Sequence, residues 1–63
     1  MWTTVHIVDS KEEADEIMRK LQAEGFLIKT DILAREGDLI TYQILAPEFE
    51  ADDIQSVILE LNL

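Results

Sequence analysis

Ser10–Phe26, SKEEADEIMRKLQAEGF, carries helix signals at both ends and an apolar stripe between them. Ser10 and Glu13 have capping-box spacing, in which the serine hydroxyl accepts from the Glu13 N–H and the glutamate side chain reaches back to the Ser10 N–H. Ala14, Ile17, Met18 and Leu21 recur at i, i+3, i+4 and i+7, so one helix face needs apolar cover. Gly25 is placed at C′ to take the left-handed conformation, and Phe26 at C″ to fall back on Leu21. The helix is therefore predicted to run to Glu24, with Asp15–Arg19 and Glu16–Lys20 as i,i+4 pairs on its solvent side. These residues define a fold. They name neither a reaction nor a ligand.

On either side of this helix the pattern changes to strands. Trp2–Val8, WTTVHIV, is β-branched and aromatic, and it predicts a strand with Val5 and Ile7 beneath the helices and Trp2, Thr4, His6 and Val8 on the other side. Phe26–Ala34 and Leu39–Ala46 read as two further strands flanking Arg35-Glu36-Gly37-Asp38. The even positions of both carry apolar residues, and for these to share a face the paired positions must add to an even number. A two-residue loop at Gly37-Asp38 breaks that parity. A three-residue loop, Arg35-Glu36-Gly37 with Gly37 left-handed, keeps it, pairing Ile32 with Ile40 and Ile28 with Ile44 and bringing Leu33 to Leu39. Pro47 ends the third strand and opens a second helix, where Glu48 and Glu50 favour the dipole. Ala51, Ile54, Val57, Ile58 and Leu61 form its stripe. Leu59 and Leu63 fall beside or beyond the stripe, as fraying ends or as a partner surface.

The order β-α-β-β-α predicts an α+β fold spanning one domain, residues 1–63. The split arrangement inserts the third strand antiparallel between the first two, giving a three-stranded sheet of order 1-3-2 with two helices on one face. It amounts to a ferredoxin-like fold lacking the fourth strand. Two features stay unsatisfied, the free edge of Trp2–Val8 and the helix-free face. That face is predicted to hold Trp2, Val8, Leu27, Leu33, Leu39 and Leu45 among Lys29, Asp31, Thr41 and Gln43, which is too apolar for a monomer.

Length and charge point the same way. A 63-residue chain buries only about 60% of the surface it exposes unfolded, and small domains make up the deficit with disulfides, metals or association. With no Cys and a single His, association is what remains. Fourteen acidic and five basic residues, net −9, repel nucleic-acid phosphates and anionic membranes, so neither is an expected partner. The same acidity serves solubility or offers a docking face to a basic protein partner. The opening Met1-Trp2-Thr3 lacks a basic leader and no apolar run approaches the roughly 18 residues of a membrane span, so a cytoplasmic protein is expected.

MWTTV, EADEIMRKLQAEGFLIK and YQILAPEFEADDI together make the chain resemble a family of small prokaryotic signal-transducing proteins of unknown function. The resemblance implies a fold similar to ferredoxin-like regulatory domains and supplies no catalytic residues. Some proteins of that kind carry the label glutamate decarboxylase, but pyridoxal phosphate chemistry needs a Schiff-base lysine in an enclosed pocket with a phosphate site. Lys11, Lys20 and Lys29 have no such setting, and neither Gly25 nor Gly37 begins a phosphate-binding loop. No cofactor is expected.

Candidate chemistry is sparse. His6 has no visible carboxylate to orient it and no nucleophile to serve, so it reads as structural or as surface. Glu48, Glu50, Asp52 and Asp53 lack the spacing of a calcium loop and are accounted for by the helix dipole. Trp2 is either a binding aromatic or a subunit contact. No catalytic or metal residues are expected, and the interface set is Trp2, Thr4, His6, Leu27, Leu33, Leu39 and Leu45. A homodimeric regulatory or adaptor module ranks first, a small-ligand sensor second and an enzyme last.

Overall fold

A computed structural model describes all residues from Met1 to Leu63. The elements follow as β1 (Trp2–Val8), α1 (Lys11–Ala23), β2 (Lys29–Glu36), β3 (Leu39–Pro47), a single 3-10 turn (Glu48–Glu50) and α2 (Ala51–Glu60). The sheet has the order β1-β3-β2, with β3 antiparallel to both neighbours. This is the α+β arrangement the patterning implies.

α1 begins and ends as its sequence dictates. Ser10 Oγ accepts from the Glu13 N–H at 3.1 Å. At the other end Gly25 has φ 97°, its N–H donates to the Gln22 carbonyl and the Phe26 N–H donates to the Leu21 carbonyl. That bond pair is the Schellman ending, and it brings Phe26 against the core beside Leu21. On the solvent side Lys20 pairs with Glu16 at 3.2 Å, while Asp15 turns to Lys11 at 2.9 Å and not to Arg19. The Asp15 hydrogen bond and charge hold the Lys11 ammonium above the ordinary lysine range.

α2 stops in the same way without a glycine. Asn62 takes φ 57°, with its N–H donating to the Leu59 carbonyl and the Leu63 N–H to the Ile58 carbonyl. Leu63 is thereby drawn onto the core, whereas Leu61, expected in the stripe, stands 44% exposed.

The core lies between the helices and one sheet face: Val5 and Val8 of β1, Ala14, Ile17 and Leu21 of α1, Ile28, Ile44 and Ala46 of the sheet layer, and Ile54 and Ile58 of α2. Two irregularities decide which strand residues reach it. Thr4 pairs with Leu45 but His6 with Ile44, so β1 carries one extra residue, Val5. Alternation shifts there, and Val8 is buried at 7% exposure while Ile7 is 53% exposed on the far face. The expected placement of Ile7 beneath the helices and Val8 away from them is thus reversed by the bulge. The carbonyl of Val5 accepts from Gln55 Nε2 of α2 at 2.6 Å.

The second irregularity corrects the hairpin. Glu36 pairs with Leu39 across a two-residue loop, Gly37-Asp38, and Ile32 pairs with Tyr42, not Ile40. Gly37 has positive φ, 62°, but as the first central residue of that loop, the position glycine holds in a type II′ turn. The parity lost in the turn is restored by an extra residue at Leu33, between Ile32 and Ala34. β2 also starts later than expected, at Lys29, so Phe26–Ile28 form a connection and Ile28 pairs with no β3 residue. β3 runs to Pro47, opposite Trp2, and the Glu48 N–H donates to the Met1 carbonyl at 2.9 Å.

Candidate interaction surface

Ile44 and Ala46 of β3 are fully buried beneath the helices, so the alternate residues Leu39, Thr41, Gln43 and Leu45 form the middle row of the opposite face. β1 adds Trp2, Thr4 and Ile7 through pairing with Pro47, Leu45 and Gln43. β2 adds Lys29, Asp31, Ala34 and Glu36. Side-chain contacts tie these rows together. Thr4 Oγ1 donates to Gln43 Oε1 at 2.7 Å, and Lys29 Nζ stands 4.4 Å from the centre of the Trp2 ring, a cation–π contact reaching across the sheet.

Of the residues expected at an interface, Trp2, Thr4, Leu39 and Leu45 share this face by register. Leu33 is the inserted residue of β2 and is 46% exposed. Leu27 lies before β2 with an exposed side chain, its N–H donating to Glu50 Oε1 at 3.4 Å. His6 does not join Trp2 and Thr4. The β1 bulge sets it opposite buried Ile44, half-buried on the helix side. Ile7 takes the open place instead. Phe49, in the 3-10 turn, is the most exposed aromatic at 83%, and no periodicity in the sequence marks it out.

Both edges of the sheet are altered in a way that discourages a further strand. β1 and β2 each contain a bulge, while the central β3 has none of its own. One carbonyl of β1 is already bonded to Gln55, and on β2 the Ile32 N–H donates to the Asp31 carboxylate at 2.8 Å.

Elsewhere the surface holds one shallow groove of about 270 Å³, lined by Lys11, Ala14, Thr30, Asp31, Ile32 and Tyr42. It is slightly smaller than the roughly 300–1,000 Å³ usual for small-molecule sites. Its lysine is already engaged with Asp15. No three His, Asp or Glu side chains converge at metal-binding distance, and every buried side-chain polar atom has a hydrogen-bond partner. No helix is long and apolar enough to cross a membrane. Comparison with protein-family models, curated proteins and solved structures finds no match to this chain.

Proposed function

We propose that this chain is a non-catalytic regulatory or adaptor module that works as a homodimer, assembling through its helix-free sheet face. The observation that carries the reading is that face itself: Trp2, Ile7 and Leu39 are each at least two-fifths exposed in a chain with only ten buried residues. A small domain gains from covering such a surface, since each apolar Å² removed from water contributes about 25 cal/mol. The bulged edges favour the face over strand addition at β1. A role in signal transduction is what the family resemblance adds, and a basic partner segment is what the net charge of −9 would attract to the assembled module.

Leu39→Lys tests the reading, because Leu39 is 53% exposed and contributes nothing to the core. Sedimentation equilibrium should show the unmodified chain at twice its 7.2 kDa and the variant at that mass, with unchanged circular dichroism. A monomeric unmodified chain at high micromolar concentration contradicts it. So does a purified activity abolished by changing one side chain.

The groove beside Tyr42 supports a second reading, a small-ligand-sensing domain. A ligand bound only by the folded state raises the melting midpoint, so a metabolite panel separates the two readings.

A further inference from the structure

Two copies of a chain with charge −9 repel unless they meet where the charges are few. On the helix-free face the register leaves three, all on β2: Lys29, Asp31 and Glu36. The β1 and β3 rows carry none. The acidic residues of α1, the 3-10 turn and α2 lie on other parts of the molecule. This face is therefore where like-charged copies approach at least cost.

The order along each row is more telling. Read along β3 the face is apolar, polar, polar, apolar: Leu39, Thr41, Gln43, Leu45. Along β1 it is Trp2, Thr4, Ile7, again with apolar ends. Along β2 a cation, Lys29, opens the row and an anion, Glu36, closes it. The β3 row keeps its character when reversed, and the ends of the β2 row, level with Leu45 and Leu39, become their own complement.

We infer that two copies pack these faces together about a two-fold axis perpendicular to the strands, so that each strand lies over its own counterpart running the opposite way. This rests on the homodimer reading and adds the symmetry and the contacts. About an axis level with Tyr42, Leu39 covers the partner's Leu45 and Lys29 meets the partner's Glu36 twice over, once at each end. Twisted sheets stacked in this way cross at about 30°, which keeps the β2 and β3 rows in register near the axis. The Trp2 ring already holds the Lys29 ammonium on this face.

A two-fold axis parallel to the strands does worse. It lays β1 over the partner's β2 with like ends together, leaving Glu36 against the Ile7 end of β1, where the face offers no cation.

Charge reversal tests the axis. Lys29→Glu moves the chain charge by two, from −9 to −11, and Glu36→Lys moves it by two the other way, to −7, while the double variant returns to −9. Both positions are exposed, and circular dichroism verifies the fold of each variant. In sedimentation equilibrium each single reversal should raise the dimer dissociation constant about tenfold, and the double variant should return to within about threefold of the unmodified chain. Glu36→Lys is decisive because it lowers net repulsion yet is expected to weaken the dimer. A dimer in which the double variant is no tighter than the singles overturns the axis and leaves self-association standing. An unmodified chain that remains monomeric overturns both.

Discussion

Gly25 and Asn62 do the same work at the ends of the two helices, each reversing the chain in a left-handed conformation so that the next residue returns to the core. Only Gly25 is legible in the sequence, because a glycine directly after an apolar helical stripe marks a helix stop, whereas asparagine is at home in many surface settings. Hence the sequence predicts Phe26 as packed and Leu63 as beside or beyond its stripe, although both are C″ residues held by the same bond pair. A side chain added at Gly25 meets no atom within 4 Å, so its cost is backbone strain alone. Gly25→Ala should lower unfolding free energy by about 1–2 kcal/mol, a large share of the roughly 3–9 kcal/mol expected at this length. Urea denaturation measures it. An unchanged midpoint would mean that the ending contributes nothing.

At the scale of elements, the hydrophobic pattern identified every helix and strand and their order, and missed how two strands keep their apolar residues on one side. Parity at the hairpin requires one extra residue, which the pattern puts in the turn, as Arg35-Glu36-Gly37, whereas the chain places it at Leu33 and closes with Gly37-Asp38. Alternation cannot separate these solutions, since each brings Thr30 and Ile32 of β2 and the even positions of β3 to the helices. β1 was less forgiving. Its near-continuous run of β-branched residues conceals the extra residue at Val5, and with it the exchange of Ile7 for Val8 and the removal of His6 from the face of Trp2. What betrays the bulge is long-range, the Gln55 amide donating to the Val5 carbonyl, which no local pattern encodes. Nuclear Overhauser contacts across β2 and β3 check the register. They should join the backbones of Ile32 and Tyr42 and of Arg35 and Ile40; contacts of Ile32 with Ile40 would restore the three-residue turn and remove the bulge.

For the whole molecule, a slab 15 Å thick has one broad side covered by helices and the other bare. The bare side combines little charge, several exposed apolar side chains and strand edges closed by bulges, and together these favour face-to-face assembly over strand addition. The apolar character of that side could be anticipated from Trp2, Leu39 and Leu45; its membership could not, because two bulges reassign which residues stand there. Trp2 is the only tryptophan, it lies on this face and it is 42% exposed, so its fluorescence reports directly on whether the face is covered. The most direct measurement is acrylamide quenching of Trp2 across a dilution series, with the mass followed in parallel by sedimentation. Quenching should rise as the mass falls from two chains to one, both with the same midpoint concentration. A mass that halves while Trp2 quenching stays constant, or a single-chain mass throughout, would contradict assembly through this face.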